Sequence, residues 1–175
     1  MLSMQLFIDA VAFAAMKHRA QRRKDVEASP YINHPIALAH VLALEAEVSD
    51  ERVLVAAILH DTLEDTETSF EELIERFGLP IAETVAEVTD DKALPKLTRK
   101  ALQIEHAPQL SEQAKLVKLA DKICNLRDVV SSPPKDWPMQ RRREYFDWAK
   151  QVVDGLRGVH PRLEEIFDDA YAARP

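Results

Sequence analysis

The stretch "ILHDTLEDT", Ile58 to Thr66, joins an apolar run, Val53 to Leu59, to two ionisable pairs, His60-Asp61 and Glu64-Asp65. Such a run reads as buried. Charges carried into an interior are normally paired or bound to a metal, because an unpaired buried charge is costly. The stretch therefore calls for a partner, and two positions offer one. His34 opens a helical pattern in "YINHPIALAHVLAL". Asp121 sits in "AKLVKLADKICNLRDVV", where Leu116, Leu119, Ala120, Ile123 and Leu126 form the apolar face. At helical spacing Lys118, Asp121 and Asn125 share one face. Two imidazoles and two carboxylates suit a divalent cation, and the nitrogen and oxygen mixture suits Mn²⁺ or Fe²⁺, with Zn²⁺ as a further candidate. Taken singly, His34 beside Pro35 reads as a helix-start or core histidine, and Asp121 as a partner for Lys118 or Lys122. The joint pattern on three helices points instead to one metal site made of His34, His60, Asp61 and Asp121.

Helical periodicity dominates the elements that must hold these residues, and strand signals are almost absent. The first helix is predicted over 3–19, with Leu6, Ala10, Val11 and Ala14 on one face. The polar "QRRKDVEASPY" is a loop. Asn33 is expected to cap a helix from His34 to Ala46, with Pro35 tolerated in its first turn. Asp50 caps the next, which carries the apolar run to His60-Asp61. Ser69 opens another, with Glu72 completing a capping box and Gly78 stopping it. A short helix over 81–88, the loop "TDDKALP" and helices near 95–107, 111–130, 138–155 and 160–173 complete an all-α chain. With no repeat or dividing linker, residues 1–175 read as one domain.

Composition narrows the function. A chain of 175 residues with 46% hydrophobic and 30% charged residues has the make-up of a soluble globular protein. A formal charge of −7 argues against a general nucleic-acid or membrane-surface binder, while a local basic cluster can still hold a small anion. The single cysteine, Cys124, excludes an internal disulfide and a multi-cysteine zinc site, and its apolar setting makes it a buried thiol. No run approaches membrane-spanning length. The first residues lack a basic n-region and read as an amphipathic helix, so the cytoplasm is the default compartment. Only three glycines occur, 78, 155 and 158, late or at helix ends, which excludes a Gly-rich phosphate loop. Phosphate chemistry would have to use side chains and metal.

Three segments, "HRAQRRKDVEASPYINHP", "AAILHDTLEDT" and "AKLVKLADKICNLRD", together resemble the hydrolase domain of the RelA/SpoT family within the HD phosphohydrolase superfamily. The likeness is greatest to stand-alone small alarmone hydrolases of the metazoan SpoT homologue (Mesh1) type. It extends to "VTDDKALPKLTRKALQIEHAP" and "RREYFDWAKQVVDGL" and leaves no room for a synthetase domain. The resemblance implies a single HD-type bundle of roughly eight to ten helices, its metal-site core at about 30–130 and its C-terminal helices, 138–173, completing the substrate pocket. It implies one Mn²⁺ on His34, His60, Asp61 and Asp121. The implied reaction removes the 3′-pyrophosphate of guanosine tetra- or pentaphosphate, the alarmone of the stringent response, to give GDP or GTP.

In that family the carboxylates matching Glu64 and Asp65 lie near the attacking water, which one can orient and deprotonate; hydrolase-dead members replace the pair. The resemblance also implies substrate contacts. The guanidinium of Arg23 would pack on the guanine face, with Lys24 close by. Lys96, Arg141 and Tyr145 match phosphate and ribose contacts, and Asn125 would bond near the ribose or scissile phosphate. Asp25-Val26 stands where many long members carry Ser-Gly, so loop contacts beyond Lys24 do not transfer. His18, His40, His106 and His160 fall outside the motifs and read as surface or packing residues, and Phe146 and Trp148 as core. The same metal site is compatible with another ribose-phosphorylated nucleotide, such as NADPH acted on by a 2′-phosphatase, or with a silent nucleotide-binding module. A small-molecule nucleotide is the expected partner, with no nucleic acid or membrane. The oligomeric state is open, a homodimer included.

Overall fold

The apolar run before His60 becomes α3, Glu51–Leu59, in the computed structural model, which describes residues 4–175. Asp50 caps it as expected, its carboxylate accepting the N–H of Arg52. Val53 and the run from Val55 to Leu59 are fully buried. A helix apolar on most sides must be surrounded. Around it pack α1 (Met4–Lys17), α2 (Asn33–His40), α6 (Leu79–Val88) and α8 (Glu112–Ser131). A single turn, α4 (Thr62–Asp65), follows α3 directly. Then α5 (Phe70–Phe77) lies on α6, α7 (Lys96–His106) on α9 (Met139–Asp154), and both α9 and α10 (Pro161–Ala172) on α8. One apolar cluster extends from Ala10 to Ala170 and includes Cys124 and Phe146. No strand ladder occurs among the described residues, where a lone antiparallel bridge joins Arg22 to Pro30. The predicted all-α class is the observed one.

Element ends depart from expectation in instructive places. Of the first predicted helix, Ser3 lies outside the described residues, and α1 stops at Lys17. Asn33 does not cap α2. The backbone is already helical at Ile32 and no side chain caps it, because the chain turns earlier: Asn33 N–H donates to Pro30 O and His34 N–H to Tyr31 O. Nor does α2 run unbroken to Ala46; it widens at Val41–Glu45 into a π segment, closed by the Ala46 N–H on Val41 O. Ser69 accepts the Glu72 N–H at 3.1 Å, but the Glu72 carboxylate takes Lys17 Nζ at 3.0 Å, so half of the capping box forms. Gly78, at φ +89°, ends α5 in the left-handed half of conformational space that glycine enters freely, and α6 starts at once. Helix α7 buries none of its residues. Its polar face is turned to the cavity described next.

Candidate active site

The site forms where α2, α8 and the α3–α4 corner meet. His60 ends α3 still in helical backbone, and Asp61, at φ −102° and ψ 2°, breaks it. Thr62 steadies the corner through Oγ1 on Leu59 O at 2.7 Å. The turn leaves His60 and Asp61 inside the fold and brings Glu64 and Asp65, on α4, to the same cavity. His34 enters from the first turn of α2, and its Nε2 lies 3.1 Å from Asp121 Oδ1 on α8. Two donors fix Asp121: Asn125 Nδ2 on Oδ1 at 2.7 Å and Lys122 Nζ on Oδ2 at 3.1 Å.

His34, His60 and Asp121 each offer a ligand atom, and these atoms all lie within 4.8 Å of one another. Asp61 stands outside that group. Its Oδ2 is 2.9 Å from His60 Nε2 and accepts the hydroxyl of Tyr31. His60 itself tests whether a cation fits. Its Nδ1–H donates to Ala57 O at 2.8 Å, which leaves the lone pair on Nε2. That buried nitrogen makes no aligned hydrogen bond, yet it faces Asp61 Oδ2 and, at 3.9 Å, Asp121 Oδ1. An unshared pair among carboxylate oxygens needs a proton or a metal between them. Without metal the proton takes the place: burial opposes the charge, but Asp61 and Asp121 outweigh it and hold the imidazole up to about 9. His34, for which burial dominates, is pushed the other way and stays neutral. Imidazole and carboxylate donors so arranged fit a divalent ion.

The two acidic residues differ in their surroundings. Burial raises the Glu64 carboxyl to about 7, against the Asp90 N–H that donates to its Oε2 at 3.1 Å. Arg99 is 3.8 Å from the other oxygen. Asp65 has both oxygens engaged, one by Gln21 Nε2 at 2.8 Å and one by Lys92. Glu64 is thus the carboxylate free to take up a proton near neutrality, while Asp65 is held in place by its two donors.

From this end a cavity of about 780 Å³ opens between α7 and α9. All of the predicted contact residues, Arg23, Lys24, Lys96, Asn125, Arg141 and Tyr145, line it. Arg23 lies over the Tyr31 ring at 5.7 Å and is held by Asp128 at 2.6 Å and Asn125 at 3.4 Å. Lys96 is the first residue of α7, and burial, then the Arg141 charge, push its ammonium pKa down. Arg141 covers Trp137 at 4.5 Å, and the Tyr145 ring sits between Trp137 and Trp148. Trp148 extends the sequence reading: half-buried, it packs against the core and is also cavity wall, with Lys122 at 4.4 Å and Lys100 at 4.6 Å from its ring. Phe146, on the opposite side of α9, is the core residue. His18 is a packing histidine, as expected, with Nδ1 2.7 Å from Gln21 Oε1. His160 caps α10 by accepting the Leu163 N–H. Tyr31, Gln21, Lys92 and Arg99 were missed. The only signal for Tyr31 was its place three residues before His34.

This meeting of His, His-Asp and Asp on three helices is what an HD domain is named for, and residues 10–147 match the HD-domain family model, so the chain belongs to that family. Its relatives are more particular. The guanosine-3′,5′-bis(diphosphate) 3′-pyrophosphohydrolase MESH1 of Danio rerio is 54% identical over 98% of this chain and 96% of its own length. That of Homo sapiens is 54% identical over 95% of this chain and 93% of its own. A solved metazoan ortholog of SpoT, described as hydrolysing ppGpp, superposes with a TM-score of 0.95 at 48% identity, covering 99% of this chain and 98% of that one. The resemblance to stand-alone hydrolases of the RelA/SpoT kind is borne out. No helix among the described residues is long and apolar enough to cross a membrane.

Proposed function

We propose that the protein is a metal-dependent guanosine-3′,5′-bis(diphosphate) 3′-pyrophosphohydrolase, converting guanosine tetra- or pentaphosphate to GDP or GTP and pyrophosphate. The observation that carries the reading is the group of His34, His60 and Asp121 within 4.8 Å, with Glu64 lining the same cavity. Asp61 is the fourth candidate ligand; the mixture of imidazole and carboxylate donors suits Mn²⁺ or Fe²⁺, with Zn²⁺ a further candidate, and the family resemblance favours Mn²⁺. Held by these residues, a divalent ion would supply charge to polarise a phosphoryl group and to lower the pKa of water.

The chain's own residues supply the rest. Water adds to the 3′-phosphorus and the bond from phosphorus to O3′ breaks. Pyrophosphate carries off the water oxygen, and the ribose O3′ takes up a proton from solvent to regain its hydroxyl. Glu64 receives the water proton, which its raised pKa suits. Asp65, immobilised by Gln21 and Lys92, orients the water. Arg23 offers a flat guanidinium to the base. Lys24, Lys96 and Arg141 are exposed at the cavity and meet phosphates, while Asn125 and Tyr145 border the ribose. On the same reading residues 1–175 act as one hydrolase unit, with the core at about 30–130 and the C-terminal helices serving the pocket.

The test is incubation of metal-stripped protein with ppGpp, with and without Mn²⁺, and anion-exchange separation of the products. GDP and pyrophosphate formed only with metal support the reading. Turnover of NADPH in place of ppGpp would move the substrate, and binding without turnover would make the protein a nucleotide sensor.

A further inference from the structure

Lys118 has no part in the mechanism above. It projects from the α8 face that carries Asp121, is 7% exposed, and donates from Nζ to Val88 O at 3.0 Å. An ammonium has three N–H donors. Lys118 makes no other hydrogen bond and no ion pair among the described residues. Its neighbour one turn on shows the contrast. Lys122, just as buried, pairs with Asp121 at 3.1 Å and lies over the Trp148 ring at 4.4 Å.

A buried ammonium without a counter-ion destabilises a fold. Burial, then the Lys122 charge, press the Lys118 pKa down, against the more distant pull of Asp121, Asp90 and Asp61, none of which bonds to it. Such a cost is maintained at sites where the missing partner is the ligand. The side chain lines the cavity that Glu64, His60 and Asp121 also line, and a smaller neighbouring one with Asp90, Arg99 and Gln103.

We propose that Lys118 is a substrate-contacting residue whose unused N–H groups bind non-bridging oxygens of the 3′-phosphoryl group under attack. This rests on the phosphohydrolase reading and adds a contact to it. The ammonium is compact and can follow the phosphoryl oxygens as charge builds on them. The exposed Lys24, Lys96 and Arg141, by contrast, gather the substrate. Loss of Lys118 therefore acts on kcat more than on KM.

The experiment compares wild type with Lys118→Met, which keeps the stem and deletes the charge. Three quantities are read: the melting temperature of the metal-stripped proteins, the shift of that temperature by inorganic pyrophosphate with Mn²⁺ in excess, and kcat and KM on ppGpp. Expected are a higher melting temperature for Lys118→Met, a pyrophosphate shift that is lost, and a kcat lower by about a hundredfold. A retained pyrophosphate shift with kcat unchanged overturns the proposal, whichever way stability moves. If Lys118→Met does not fold, Lys118→Gln, which can still donate to Val88, takes its place under the same criteria. Failure of both to fold makes the lysine structural and ends the proposal. If wild type fails to hydrolyse ppGpp, the parent reading falls, while the pyrophosphate shift still reports on Lys118.

Discussion

Tyr31 donates its hydroxyl to the carboxylate of Asp61, a residue 30 positions further along the chain. The same ring lies 5.9 Å from that of His34, so one half-polar side chain touches two candidate ligands. A hydrogen bond to a carboxylate contributes about 1.5–3 kcal/mol, and losing an outer partner of a ligand typically weakens metal binding by about 10–100-fold. Tyr31→Phe should keep the fold and bind Mn²⁺ at least about tenfold more weakly by calorimetric titration. Wild-type affinity in that variant would mean that His60 alone orients Asp61.

Asp121→Ala removes a candidate ligand, the acceptor shared by Asn125 and Lys122 and the neighbour of His34 Nε2 at 3.1 Å. The purified variant should contain no stoichiometric metal by elemental analysis and show no turnover. Undiminished metal content would take Asp121 out of the ligand set.

Glu64→Gln, in contrast, should retain the metal and lose about 10²–10⁴-fold in kcat, the usual range for a general base. Its carboxyl, raised to about 7 by burial, is favoured in the protonated form by the fold. The stability linked to it is present below the ordinary carboxylate pKa and is lost as pH rises through 7, whereas activity needs the ionised form. The rate should thus climb with pH along an acid limb at or below about 7, a bound cation moving it lower. A profile flat from pH 5 to 8 would remove Glu64 from proton transfer.

Arg23 is held by Asp128 in a half-exposed pair at 2.6 Å. Such pairs contribute about 0–1 kcal/mol, so substrate can recruit the guanidinium at little cost. Arg23→Ala should raise KM by about tenfold with kcat nearly unchanged, as expected for loss of a stacking contact with the base. An equal fall in kcat would tie Arg23 to the reacting phosphate.

Gly155 faces a different constraint. A Cβ built there would stand 2.9 Å from Ala107 Cβ and 3.1 Å from Pro108 Cδ. Overpacking of this kind costs about 1–3 kcal/mol, and Gly155→Ala should lose that much in urea unfolding while its metal content stays normal. An unshifted midpoint would show that the turn at Ala107-Pro108 gives way.

Much of the site was legible because its residue types are out of place in their context. His60-Asp61 after seven apolar residues and Asp121 inside an apolar helix are costly unless something joins them. Asp50, Ser69 and Gly78 were legible because caps and stops are local chemistry. Asn33 misled for a related reason: its type suits a cap, but the turn at Pro30-Tyr31 had already begun the helix. Trp148 was read only as core, because aromatic residues in helices usually pack. Only the wedging of α9 between α7 and α8 puts its ring under two lysines. The hold of Tyr31 on Asp61 and of Gln21 on Asp65 could not be read at all, since both depend on the polar loop folding back toward α4.

That loop is closed mainly by its backbone, through Arg23 N–H on Ser29 O and Tyr31 N–H on Gln21 O, with the Asp25 side chain bonded to Ser29. Arg22 adds bonds to Arg19 O and Gln21 O, but the frame asks little of the side chains at 24, 26 and 27, which are exposed. Evolution or an engineer could therefore rewrite Val26 and Glu27 while the catalytic floor beneath stays as it is.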